Sequence, residues 1–327
     1  MKRVKFDKVF MSWNKSQRSR NLANKLSMEF LVTQPEGTAF YRFTQCTIWT
    51  IFHLVKKRPK TIVLQYSFLL LIILSIYKVI NTTSIILICD CHTKALKRSV
   101  SGKFQNTFYK LKKWSFSKTN LCILHNPEQL QDLIRFSKNF IVLRDPIPIF
   151  LRDSELLDKE KSDIKEKIVF VCSYDKDEPI NEIVSAAKSL SNSYKIYMTG
   201  NVPKKYKLIL NSNEITFTGY LADCEYQSLL MDAILIASLT TEDSCVQSAA
   251  FEAMAAGSAY LTSKKKSLVD MLGVAAAYTE NKAPDIIAAA AMAIQNRAVL
   301  IGEMAQLKIF LNEEFEKNLQ GIKQIIT

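Results

Sequence analysis

Glycine and proline are both scarce, at eight residues each in a chain of 327. No Gly-x-Gly-x-x-Gly run occurs, which removes the phosphate turn expected of a dinucleotide enzyme. Cys-x-x-Cys is also missing. The seven cysteines, at 46, 89, 91, 122, 172, 224 and 245, are odd in number and scattered. Most stand in apolar context, so buried, reduced thiols in a reducing compartment are expected. Cys89-Asp90-Cys91-His92 superficially resembles a metal cluster, but no second cluster completes four ligands and no zinc is expected. No apolar h-region follows Met1-Lys2-Arg3, so no signal peptide is expected. The most apolar run, FLLLIILSIY over 68–77, falls short of the roughly 20 residues of a spanning helix and predicts a buried or interfacial one.

Acidic residues are short in one half only. Residues 1–150 carry 25 Lys and Arg against 7 Asp and Glu, while the remainder carries 19 against 24. The net charge of +13 is therefore a +18 half joined to a −5 half. A field of that kind favours an anionic partner on the first half: a lipid headgroup, a diphosphate or a nucleic acid. What is present otherwise is globular, with 48% hydrophobic and 23% charged residues.

Short apolar runs alternate with helical patterns throughout. Strands are predicted over 8–13, 30–33, 61–65, 84–90, 120–124 and 140–143, with helices over 40–57, 103–114 and 128–136 between them. Asp145-Pro146-Ile147-Pro148 and the charged stretch 152–167 then read as a break and a lead-in. A second series follows, with strands over 168–172, 194–198, 215–217, 233–237, 259–262 and 275–278. Helices over 180–190, 224–231, 246–256 and 284–297 separate these, and 303–326 is helical with no strand after it. Near-continuous apolar strands alternating with helices mean parallel sheets covered on both faces. The expected architecture is α/β: two doubly wound Rossmann-like domains over 1–150 and 151–302, facing across a cleft. A C-terminal helix over 303–327 is expected to pack back toward the first domain.

Residues 237–257, ASLTTEDSCVQSAAFEAMAAG, carry the most chemistry. A strand ends, acidic residues follow, and a small-residue helix opens before Glu252. Free N–H groups at such a helix start suit a diphosphate, and a carboxylate one or two turns in suits ribose hydroxyls. This stretch resembles the donor site of glycosyltransferase family 4, whose second glutamate lies in a Glu-Ala-Met-Ala-x-Gly run matched here by Glu252 to Gly257. The resemblance implies a GT-B fold, a nucleotide-sugar donor and a ribose contact for Glu252. The family's first glutamate falls at Ser244, with Glu242 and Asp243 beside it and Cys245 after it, so the carboxylate that meets the sugar is left open.

Asp177-Glu178-Pro179, Thr218-Gly219-Tyr220-Leu221 and Tyr226-Gln227-Ser228-Leu229-Leu230 resemble further segments of such a domain. One departure stands out: Ser173 and Glu178 occupy positions where many members have Arg and Lys gripping the diphosphate. Lys264, Lys265 and Lys266 are candidates to replace them.

In the first half, Arg18 and Arg20 follow the first strand and face either an acceptor phosphate or solvent. Asp90 and His92 end an apolar strand and resemble an Asp-x-His found there in polysaccharide-making members. His92 would contact the sugar or act as base, and Asp90 would orient it or be the base itself. His53 and His125 are expected to be structural. Phe104, Phe108 and Leu111 recur at helical spacing among Lys103, Lys110, Lys112 and Lys113, which suits an anionic membrane surface better than nucleic acid.

The function expected is transfer of a sugar from a nucleotide-sugar to a lipid-linked or polysaccharide acceptor, on the inner face of a membrane. Transfer without metal or other cofactor is expected, with the helix dipole and lysines stabilising the leaving diphosphate. The rivals are a non-transferring, epimerase-like enzyme, and a silent subunit or nucleic-acid-binding protein.

Overall fold

The computed structural model describes residues 7–81, 84–91, 105–151, 165–207, 213–243 and 245–326. His92, Lys103, Phe104, Ser244 and the charged stretch 152–164 lie outside them. Two compact units are present, Met1–Asp145 with Phe315–Thr327, and Pro146–Glu314.

In the first unit, strands β1 (Lys8–Ser12), β2 (Glu29–Val32), β3 (Thr61–Gln65), β4 (Ile86–Cys91), β5 (Leu121–Leu124) and β6 (Phe140–Val142) alternate with helices. The helices are α1 (Gln17–Lys25), α2 (Ala39–Lys57), α3 (Phe68–Ile80), α4 (Gln105–Ser117) and the single turn α5 (Leu130–Leu133). All pairings in the sheet are parallel, in the order β2-β1-β3-β4-β5-β6. Alternate residues of each strand feed opposite cores. Val9, Met11, Ile62, Leu64, Leu87 and Cys89 face Leu70, Leu71 and Leu74 of α3. Phe10, Val63, Ile88 and Ile123 face Leu22 and Ala23 of α1 together with Phe315, Leu319 and Ile322. Burial on both faces is why these strands read as unbroken apolar runs.

The second unit repeats the plan with β7 (Lys167–Phe170), α6 (Ile180–Leu190), β8 (Lys195–Thr199), α7 (Lys204–Lys207), β9 (Ile215–Gly219), α8 (Asp223–Met231) and β10 (Ala233–Ser238). After these come α9 (Ser248–Ala256), β11 (Ala259–Ser263), α10 (Lys266–Leu272), β12 (Ala277–Thr279), α11 (Ala283–Gln295) and α12 (Arg297–Ile326), whose last residues from Phe315 belong to the first unit. The parallel order is β12-β11-β10-β7-β8-β9. Counted from β7, that is the Rossmann order, and the strand sequence reverses between β7 and β10.

Local departures from the sequence expectation have plain causes. The helix expected over 128–136 is a 3₁₀ turn, Pro127–Gln129, followed by the four residues of α5. Asn126 and Gln129 form a capping box there, and Gln129 Nε2 donates to Cys91 O at 3.0 Å. Gly200 has φ +89°, and a Cβ on it would meet Cys172 O at 2.1 Å, so only glycine lets β8 pass the loop after β7.

Candidate functional site

In the second unit the site is built at the carboxyl ends of β7 and β10. Ser238 ends β10, and its Oγ lies 3.0 Å from Gln247 Oε1 and 2.5 Å from the Tyr260 hydroxyl. Gln247 Nε2 donates to Leu239 O at 3.1 Å, so the residue before α9 is tied back to the strand that leads into it. Ala249, Ala250 and Ala253 bury one side of α9 against the sheet. Small, strong helix formers allow that close approach. Gly257, at φ +69°, closes the helix in the left-handed region that glycine tolerates.

Glu252 is the single charged side chain on α9 and is half-buried. Its Oε2 accepts a 2.6 Å hydrogen bond from the Tyr226 hydroxyl of α8. No other partner of this carboxylate occurs among the described residues. Burial raises the Glu252 pKa, and the Tyr226 hydrogen bond pulls part of the way back. The arrangement leaves Oε1 able to accept from a hydroxyl pair such as a ribose diol.

The loop before α9 is held through its backbone. Thr240 N donates to Ser263 Oγ at 2.8 Å, and Asn281 Nδ2 donates to Thr240 O at 2.9 Å. Across the strand-order reversal, Thr240 Oγ1 donates to Asp177 Oδ2 at 2.9 Å and Thr241 N to Asp177 O at 2.7 Å. Glu242 and Asp243 project outward, the Asp243 side chain being 80% exposed. Cys245 is half-buried, and its carbonyl accepts from Ser267 Oγ at 3.3 Å.

The loop after β7 already holds an anion of its own. Glu178 accepts from Ser173 N at 3.0 Å, Ser173 Oγ at 2.6 Å and Tyr174 N at 2.8 Å. Of the replacement lysines, Lys264 lies 3.3 Å from Glu280 and Lys265 3.4 Å from Asp243, while Lys266 pairs with Asp270. Each is therefore answered by a carboxylate within this unit.

In the first unit, Asp90 is 1% exposed at the end of β4. Its Oδ1 lies 3.5 Å from Arg18 Nη2 and 3.2 Å from His125 Nε2. Arg18 also donates to Leu143 O at 2.7 Å and pairs with Asp145. Burial opposes ionisation of Asp90, but Arg18 and His125 outweigh it and hold the carboxyl well below the usual carboxylate range. His125 is thus a partner of Asp90, a contact that the sequence reading did not assign to that histidine. The signal was available: His125 is the first residue beyond β5, at the carboxyl edge where ligands of parallel sheets gather.

Two cationic expectations also change. Arg18 does not face outward, because its guanidinium is committed to Asp90, Asp145 and a carbonyl, whereas Arg20 is exposed. Lys112 is 3% exposed, with its ammonium 4.6 Å from the Phe136 ring centroid and 5.9 Å from that of Tyr66. Its hydrocarbon stem packs inward, so among the described lysines of that set Lys110 and Lys113 lie on the exposed face of α4. Phe108 packs against Phe68 of α3 at a tilt of 36°, with centroids 4.0 Å apart, so it too is engaged.

Solved structures match this architecture over nearly its whole length. A sucrose-phosphate synthase from Thermosynechococcus elongatus superposes with a TM-score of 0.73 at 12% identity, covering 98% of each chain. The fold is GT-B. Anabaena HepE, solved with UDP and glucose, gives 0.68 at 12% identity over 98% of each chain. WaaG, a glycosyltransferase involved in lipopolysaccharide biosynthesis, gives 0.63 at 12% identity over 98% of this chain and 99% of its own. No family model matches the sequence, and no curated protein matches it.

Within the GT-B frame, the expected donor residues gather at one edge of the second unit: Glu252 on α9, Glu242, Asp243 and Cys245 in the loop before it, and Lys264 and Lys265 after β11. The partners that sequence reading missed are Tyr226 for Glu252 and His125 for Asp90. Among the described residues no three His, Cys, Asp or Glu side chains are grouped as a metal ion requires.

Proposed function

We propose that this GT-B chain is a glycosyltransferase whose second unit binds a nucleotide-sugar and whose first unit receives a lipid-linked or glycan acceptor at an anionic membrane surface. The observation that carries the reading is Glu252. A lone, half-buried carboxylate on a small-residue helix, held by one phenol and open at its other oxygen, suits the two hydroxyls of a ribose. HepE was solved with UDP and glucose, and WaaG is described as serving lipopolysaccharide synthesis, so the same fold hosts such donors and products. Seven cysteines without a disulfide suit the cytoplasmic side.

Glu178 favours a second reading. Its carboxylate takes the loop N–H groups that would otherwise meet a diphosphate, which suits a subunit that binds weakly and transfers nothing. Two measurements separate the readings. Thermal-shift screening against UDP-, GDP-, ADP- and dTDP-sugars should reveal a donor, and Glu252→Ala should weaken it by about 1.5–3 kcal/mol, the range for a hydrogen bond to a charged group. Unchanged affinity in the folded variant would sink the donor site. Donor binding with no transfer or slow hydrolysis would select the silent subunit.

A further inference from the structure

The helix most at odds with a water-facing surface is α2. Its inward stripe is Cys46, Thr50 and Leu54, with the Trp13 indole donating to Thr50 Oγ1 at 3.0 Å. At 3.6 residues per turn the opposite face collects Tyr41, Ile48, Ile51, Phe52 and Val55, and all five are exposed, as is Phe40 in the first turn. Phe40 reaches 83% and Val55 66%. The outward face is thus more apolar than the inward one, the reverse of an ordinary surface helix. The adjoining α3 adds exposed Ile76, Val79 and Ile80. A soluble monomer rarely leaves so continuous an apolar strip bare.

Charge decides what covers it. Between Glu36 and Asp90 there are six Lys and Arg and no acidic residue. Arg42, Lys56 and Arg58 are exposed along α2, and the Lys56 ammonium lies 5.2 Å from the Phe52 ring centroid. Lys57 is the exception, neutralised by Glu29 at 2.8 Å. A second copy laid on this face would set these cations against their own counterparts, with no acid on α2 or α3 to answer them. An anionic lipid surface answers all of them while taking the apolar strip.

We infer that the outward face of α2, extended by the end of α3, is a membrane-docking surface that lies in the headgroup region of an anionic bilayer. The helix is roughly 28 Å long, and flanking cations with an apolar centre are what in-plane binding requires. No single helix among the described residues is long and apolar enough to cross a membrane. The surface therefore gives adhesion without a span. It moves the contact expected on α4 to a different helix, because Phe108 and Lys112 are already engaged inside the unit. Docking of this kind does not depend on the donor-site reading, since vesicle binding is measured with no nucleotide-sugar present.

The test uses the full chain and sedimenting vesicles of phosphatidylglycerol and phosphatidylcholine in equal parts. Wild type should bind them, with pure phosphatidylcholine bound poorly and binding weakened by salt. Ile48→Ser/Ile51→Ser/Val55→Ser should lower the affinity by about tenfold or more, with an unchanged circular-dichroism spectrum and melting point. If that triple variant misfolds, Phe40→Ser with Val55→Ser, at the two most exposed positions, replaces it. Lys110→Glu/Lys113→Glu on α4 should keep binding within about threefold. No binding by wild type, full binding by the serine variants, or greater loss from the α4 pair would each overturn the proposal. So would a wild-type dimer in sedimentation equilibrium that the serine variant converts to monomer without affecting vesicles.

Discussion

At the carboxyl edge of the first sheet, opposite charges close on one another. At the same edge of the second, the two partly buried carboxylates Glu252 and Glu178 are held by neutral donors. Asp90 is answered by Arg18 and His125, and Arg18 again by Asp145. Among the described residues, Glu252 and Glu178 meet a phenol, a serine hydroxyl and backbone N–H groups. The consequence shows in their protonation: Asp90 is pulled far down, while burial pushes Glu252 and Glu178 up. An internally neutralised cluster fixes geometry. A carboxylate without a cation keeps its capacity for a ligand, and that difference is a reason to place the donor on the second unit and an orienting role on Asp90.

The largest effect that sharpens this contrast is on stability. Removing Asp90 leaves a mostly buried guanidinium with only Asp145 and a carbonyl, so Asp90→Ala should cost about 3 kcal/mol, near the low end for a broken buried pair. Urea unfolding, followed through the first unit's transition, measures it. A loss under about 1 kcal/mol would mean that the existing pair with Asp145 and the Leu143 carbonyl suffice to hold Arg18.

Acid should move the two edges in opposite directions. The Asp90 pKa is depressed in the folded protein, so its stabilisation is complete above the unfolded value of about 4 and is lost as pH falls further. The gap between wild type and Asp90→Ala should therefore narrow below about pH 4. Glu252 is raised, so its ionised form costs stability at neutral pH, and that cost fades as pH falls through the raised pKa. Glu252→Gln should accordingly stabilise the ligand-free protein near pH 7 while it weakens donor binding. Loss of both stability and affinity would return Glu252 to a structural role.

Most of the fold was legible because its signal is local. Every strand expected from an apolar run is present, since strands buried on both faces must be continuously apolar, and the helix over 180–190 has the expected ends. The Glu252 environment was half legible. Its position on α9 follows from the motif, but Tyr226 comes from another helix 26 residues earlier, and only packing of α8 beside α9 joins them. His125 reaches Asp90 through parallel pairing of β4 with β5, where Asp90 is opposite Ile123, and no local pattern announces a partner 35 residues away. Lys112 misled for a different reason. Helical spacing placed cations around an apolar stripe, but it does not say which cation lies over half-buried rings.

The smallest effect expected is the most specific to the second edge. The Tyr226 hydroxyl both aims the Glu252 carboxylate and holds its pKa below the value that burial alone would set. Tyr226→Phe keeps the ring and deletes one hydrogen bond, so donor affinity near neutral pH should fall by only about 0.5–1.5 kcal/mol. The pH profile carries the sharper test. Deleting the hydroxyl raises the Glu252 pKa further, so protonation of the carboxylate begins at a higher pH during acidification. The acid limb of donor affinity, measured by calorimetric titration from pH 8 to pH 5, should therefore shift upward in Tyr226→Phe and vanish in Glu252→Gln. An acid limb that stays in place in the phenylalanine variant would mean that another group governs it, and the pairing of Tyr226 with Glu252 would then serve packing alone.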